Sequence, residues 1–162
     1  MPALLKSLSS YDASKIPDAS GFSFGIVVSE YNELITGALY RGCIETLLTH
    51  GAQEENILIS HVPGAFELPL GAQFLLENND LNAVICLGCV ITGETKHDEY
   101  ISHSVADAIM NLGLNYNLPV IFGVLTPQNL QQAKARSGGE HGNKGVEAAV
   151  TAIKMAYLKN NS

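Results

Sequence analysis

Two kinds of hydrophobic pattern alternate along this chain, and each predicts its own element. Phe22–Ser29 is a nearly unbroken apolar run and predicts a buried strand. From Asn32 to about His50, Ile35, Leu39, Cys43 and Leu47 recur every four residues with Ile44 and Leu48 beside them, which predicts a helix that Gly51 stops. Asn56–Val62 predicts a second strand, Val62-Pro63-Gly64 a turn, and Glu67 to about Glu77 a helix. Ala83–Val90 is almost wholly apolar, as a strand covered on both faces is. A helix then starts near His97, with Ile101, Val105, Ala108, Ile109 and Leu112 on one face. Val120–Thr126 predicts a fourth strand, and Thr126 followed by Pro127 predicts the cap and first position of a short helix ending near Arg136. Ser137–Gly142 reads as a glycine-rich kink. The last helix starts near Asn143, with Val146, Ala149, Val150, Ile153 and Tyr157 as its buried stripe.

Strands alternating with helices predict a parallel sheet with right-handed crossovers. The expected class is α/β, a flavodoxin-like three-layer sandwich: a four-stranded parallel sheet with helices on both faces. No repeat or linker divides residues 21–160, which form one domain of the 162-residue chain. Residues 1–20 mix Pro2, Lys6, Pro17, serines and aspartates. They read as a mobile N-terminal arm or as an arm lying on a neighbouring subunit, and both readings stand. Ala3–Leu5 is too short for the core of a secretory signal.

Composition narrows the partners. A net charge of −7 disfavours nucleic acid and anionic membrane as partners. No apolar run approaches the ~20 residues of a membrane span. Cys43, Cys86 and Cys89 form no CxxC pair, and Cys86 and Cys89 point to opposite faces of one strand. They read as small core residues in a reducing compartment, hence a cytoplasmic protein.

In sheets of this kind ligands bind beyond the carboxyl ends of the strands. The segments after Val28, Val62, Val90 and Leu125 are therefore the ones to inspect. Tyr31 can stack on a flat ligand, although taken alone it reads rather as a hydrophobic contact beside a cap at Asn32. In Val62-Pro63-Gly64-Ala65-Phe66-Glu67-Leu68-Pro69, the Pro-Gly turn brings backbone close to the crevice. Glu67 can accept hydrogen bonds from a pyrimidine or polyol, or serve the helix dipole. In the segment from Gly88 to His97, Gly93 and Thr95 precede a helix whose free N–H groups favour an anion. His97, on its first turn, is suited to moving protons near neutral pH. A metal reading of His97, Asp98, Glu99 and His103 fails on spacing, because the two histidines stand about 120° apart around a helix. Arg136 can grip a phosphate. Neither GxGxxG nor GxxxxGK[ST] occurs, which disfavours dinucleotides and nucleoside triphosphates.

Taken together, Val62–Pro69, the Gly93-x-Thr95-x-His97 ending of the third segment and Gly142-Asn143-Lys144-Gly145 resemble the lumazine synthase family in order and spacing, over about Phe22 to Tyr157. The resemblance implies a role for each matching residue. Tyr31 stacks on the pyrimidine. Ala65, Phe66 and Glu67 hold the ribityl chain. Cys89, Val90 and Ile91 read the pyrimidine edge, and Phe122 comes from the adjacent subunit. Glu94, Thr95 and Arg136 form the phosphate site with Lys144 nearby, and His97 transfers protons. The implied reaction condenses 5-amino-6-(D-ribitylamino)uracil with 3,4-dihydroxy-2-butanone 4-phosphate to 6,7-dimethyl-8-ribityllumazine, releasing phosphate and water. No metal or organic cofactor is implied, and the partners are two small-molecule substrates.

The resemblance also implies homopentamers with sites between subunits. The absence of an insertion at Ser137–Gly142 favours a 60-subunit icosahedral shell. The chain departs from the family at Glu30 and Thr92, where many members are basic, and at Glu140, often Lys. Two rival readings are a non-catalytic flavin- or pterin-binding module, which leaves the anion site beside His97 unexplained, and a purely structural shell protein, which leaves His97, Glu67 and Arg136 without a purpose.

Overall fold

A computed structural model describes residues 9–162. The first eight positions of the expected arm lie outside the described residues. Four strands, β1 (Phe24–Ser29), β2 (Ile57–Val62), β3 (Ala83–Cys89) and β4 (Val120–Leu125), form a parallel sheet in the order β2-β1-β3-β4. Between them run α1 (Glu33–Thr49), α2 (Leu68–Asn78) and α3 (His97–Tyr116). After β4 come α4 (Leu130–Ala135), a ribbon of β5 (Ser137–Gly139) and β6 (Gly142–Asn143), and α5 (Lys144–Asn160).

Strand alternation sorts the core into two halves. Phe24, Ile26, Val28, Ile85 and Leu87 point to the face covered by Ile35, Leu39, Cys43 and Leu47 of α1 and by α5. Val27, Val84 and Cys86 meet Leu68, Ala72 and Leu76 of α2 and Val105, Ile109 and Leu112 of α3 on the other. The two central strands are therefore buried at every residue, as their continuous apolar runs require. Cys86 and Cys89 fall in opposite halves, as their spacing predicts.

Four local expectations are corrected. Thr126 is not the cap of α4: Asn129 is, accepting from the Gln132 amide at 2.9 Å, and Pro127 stays outside the helix. Asn competes well for that position, and the extended backbone of Asn129 suits it. The Ser137–Gly142 kink is an antiparallel ribbon, with Gly138 supplying left-handed backbone at the irregularity in β5 and Gly142 just after the turn. The inner face of α5 is built from Ala148, Ala149, Ala152, Ile153 and Ala156, whereas Tyr157 is exposed. Small residues win there because α5 lies hard against α1: a side chain on Gly145 would run into the Leu39 carbonyl. Asn32 precedes α1 as expected but makes no side-chain cap bond.

Residues 9–20 lie along this body. Ser9 Oγ accepts from the Asn143 amide at 3.1 Å, Tyr11 Oη meets His50 Nε2 at 2.9 Å, and Ala19 is buried. Among the described residues no helix is long and apolar enough to cross a membrane.

Candidate active site

The strand order reverses direction between β1 and β3, so the crevice lies above the carboxyl ends of these strands. The connections there are tied to one another by backbone bonds. Glu30 N donates to Val62 O (2.8 Å) and Tyr31 N to Pro63 O (3.0 Å), which join the loops after β1 and β2. Val90 N donates to Leu125 O (2.8 Å), and Thr92 gives both its amide (3.0 Å) and its hydroxyl (3.3 Å) to Pro127 O, which join the loops after β3 and β4. The rim is thus a held set of loops.

Above it stand two bare rings. Tyr31 is 71% and Phe66 60% exposed, far more than an aromatic residue near a sheet needs to be. Tyr31 lies over Gly64, where a Cβ would come within 2.9 Å of the ring, so the Pro-Gly pair makes room for the aromatic group. Ala65–Glu67 forms a single 3-10 turn before α2, and Glu67 Oε2 accepts from Gly64 N at 3.0 Å. That bond uses one carboxylate oxygen and aims the side chain back over the turn. Ala65 is buried, Phe66 is exposed and Glu67 is half-buried.

From β3, the segment Cys89-Val90-Ile91 leaves the sheet edge-on. Burial pushes the Cys89 thiol up to about 11, so it stays neutral and offers backbone groups rather than a thiolate. Glu94 and Thr95 lie exposed before α3, and His97 is its first residue, with its amide 3.3 Å from Thr95 Oγ1. The imidazole and the helix N-terminal amides thus share one exposed corner, suited to moving a proton beside a bound anion.

The remaining predicted residues lie elsewhere. Phe122, Arg136 and Lys144 line a cavity of about 930 Å³ beside β4, with His141 and Glu140. None of the β1–β3 loop residues singled out from sequence lines it. Lys144 Nζ lies 3.9 Å from Glu147 Oε1; burial raises the Glu147 carboxyl, and Lys144 and Arg136 oppose that rise. Two cations therefore bear on one spot. Glu140 brings a negative charge to the same cavity, whereas Glu30 and Thr92 sit on the other loops. His141, which sequence reasoning did not single out, lines the same cavity. No group of three potential metal ligands forms among the described residues.

A family model described as 6,7-dimethyl-8-ribityllumazine synthase matches residues 21–160. A protein of that name from Cytophaga hutchinsonii is 55% identical over 150 residues, covering 93% of this chain and 94% of its own. Others are from Parabacteroides distasonis, 50% identical over 96% of this chain and 97% of its own, and Porphyromonas gingivalis, 46% identical over 98% and 99%. Matched over nearly its whole length, and carrying exposed rings, turn carboxylate and histidine at the strand ends of the expected fold, the chain belongs to the 6,7-dimethyl-8-ribityllumazine synthase family.

Proposed function

We propose that this protein condenses 5-amino-6-(D-ribitylamino)uracil with 3,4-dihydroxy-2-butanone 4-phosphate to form 6,7-dimethyl-8-ribityllumazine in riboflavin biosynthesis, in the cytoplasm. The observation that carries the reading is the placement of Tyr31, Phe66, Glu67 and, at the start of α3, His97 on the segments that follow the carboxyl ends of the strands. Tyr31 stacks on the pyrimidine, Cys89, Val90 and Ile91 read its edge, and Ala65, Phe66 and Glu67 hold the ribityl chain. Glu94, Thr95, Arg136 and Lys144 hold the phosphate.

The substrate amine attacks the ketone and loses one water as the imine forms. Phosphate leaves by elimination, and the ring closes with loss of a second water. The nucleophile and electrophile are already matched, so the protein's main contribution is to orient them. His97 takes and returns the protons that move between carbon, oxygen and phosphate.

The separation of Phe122, Arg136 and Lys144 from the β1–β3 loops supports a site completed by a neighbouring copy. So does a second, largely apolar cavity of about 910 Å³ between α3 and α5, which exposes Met110, Leu114, Met155 and Leu158. We read the assembly as a homopentamer. The short β5–β6 ribbon, without an insertion, favours a 60-subunit shell.

The test is to mix the purified protein with both substrates and follow lumazine absorbance against a protein-free control. Acceleration is expected, with His97→Ala slowing turnover towards the lower end of the about 10²- to 10⁴-fold worth of a positioned acid–base group while binding persists. Arg136→Ala raises KM for the phosphate substrate. A folded protein that leaves the spontaneous rate unchanged rejects the reading in favour of a flavin- or pterin-binding module.

A further inference from the structure

The junction between β1 and β3 holds a bond that sequence reasoning had assigned to helix capping. Asn32 has a left-handed backbone, φ 64 and ψ 47, and its side chain caps nothing. Instead its Nδ2 donates to the carbonyl oxygen of Cys89 at 3.1 Å, from a residue 57 positions away. The residue before Asn32 is the exposed ring of Tyr31, and the residue it grips opens the Cys89-Val90-Ile91 segment.

We propose that Asn32 is a positioning residue for the pyrimidine substrate, fixing the distance between the Tyr31 ring and the backbone edge of Cys89–Ile91. The inference rests on the condensation proposed above. Two demands meet at this position. The left-handed backbone favours Gly, Asn or Asp over other residues. The Cys89 carbonyl needs a donor, which Gly lacks and which an ionised Asp replaces with a repelling oxygen. Asn alone of the three satisfies both. The Tyr31 ring is then anchored on both sides, towards β2 through Pro63 and Gly64 and towards β3 through Asn32. A flat ring sandwiched between an aromatic face and a hydrogen-bonding backbone edge tolerates little change in that gap.

The test compares wild type, Asn32→Gly and Asn32→Asp by steady-state kinetics with each substrate varied in turn, and by melting temperature. Asn32→Gly keeps the backbone and removes only the clasp. It is expected to raise KM for the pyrimidine about three- to tenfold while KM for the phosphate substrate stays near wild type, with the melting temperature falling by no more than one hydrogen bond is worth. Asn32→Asp raises pyrimidine KM further. An unchanged pyrimidine KM in Asn32→Gly overturns the proposal. So does a parallel rise in both KM values, because that marks a merely structural bond. A wild type that shows no saturation with the pyrimidine rejects the condensation reading, and the clasp with it; a wild type that saturates while the glycine variant matches it rejects the clasp alone.

Discussion

Replacing Asn143 with alanine should destabilise the fold by about 2 kcal/mol, because one carboxamide serves two elements. Its Oδ1 accepts from Gly145 N (2.7 Å) and Val146 N (3.3 Å) and so caps α5. Its Nδ2 reaches into α1 and donates to Ala38 O at 3.1 Å. Gly42 leaves the room for this: a Cβ there would lie 2.7 Å from the carboxamide. Losing a cap costs about 1 kcal/mol. Losing the bond to Ala38 costs about 1 kcal/mol more. The sum stays near 2 because both α1 and α5 keep their own ladders, and the alanine leaves only a small gap beside Gly42.

In a domain of this size the loss corresponds to a fall in melting temperature of about 4–8 °C. Asn143→Ser separates the two parts. Its hydroxyl can still cap, but it is too short to reach α1, so about half the loss should return. The assay is urea unfolding by circular dichroism at one fixed protein concentration, since the assembly proposed above would make apparent stability concentration-dependent. An alanine variant within about 0.5 kcal/mol of wild type would refute the capping argument. A serine variant equal to alanine would assign the whole effect to the α1 bond.

Two further outcomes follow from the same geometry. If each site joins loops of one copy to the β4 cavity of the next, then, with the phosphate substrate held well below its KM, coexpressed His97→Ala and Arg136→Ala chains should show more activity than either alone, approaching roughly a quarter of wild type for random pairing in a ring; no recovery in proven mixed assemblies would place both residues in one chain's site. Burial pushes the thiols of Cys43 and Cys86 up to about 12 and that of Cys89 to about 11, from 9.0. The unfolded chain therefore loses these protons first, and stability should fall as pH rises from about 9, by up to about 1.4 kcal/mol per pH unit for each thiol. Cys43→Ala should flatten that slope, and an unchanged slope would contradict the burial argument.

Most of the fold was legible because each strand and helix announces itself by period. The continuous runs of β1 and β3 could only be strands covered on both faces, and the four-residue recurrence from Ile35 to Leu47 could only be one helical stripe. The errors came where two local signals competed or where packing chose against size. Thr126 and Asn129 both offered a cap, and sequence had no means of weighing the extended backbone of Asn129. Tyr157 matched the stripe of α5 by spacing, but the close approach of Gly145 to Leu39 shows a helix pair that selects alanines. The β5–β6 ribbon has too few side chains to show alternation at all.

The structure divides the residues singled out from sequence into two separate groups, and strand register explains why. Cys89 pairs with Leu125 at the rim, whereas Phe122 pairs with Cys86, three residues lower on the edge strand. At about 3.3 Å per residue that is roughly 10 Å below the loops that carry Tyr31 and His97. Phe122 cannot reach over its own sheet edge to a ring held above β1 and β3, yet as an edge residue it faces whatever packs beside β4. Arg136 and Lys144 follow it to the same cavity because Asn143 locks the start of α5 against α1. Each chain therefore carries His97 at the start of α3 and Arg136 with Lys144 in a separate cavity beside β4, and the proposed condensation needs both at a single pair of substrates. If the proposed ring of subunits is right, its closure is what brings the two groups of residues together, and a dissociated chain should retain the fold while losing the phosphate half of the proposed site.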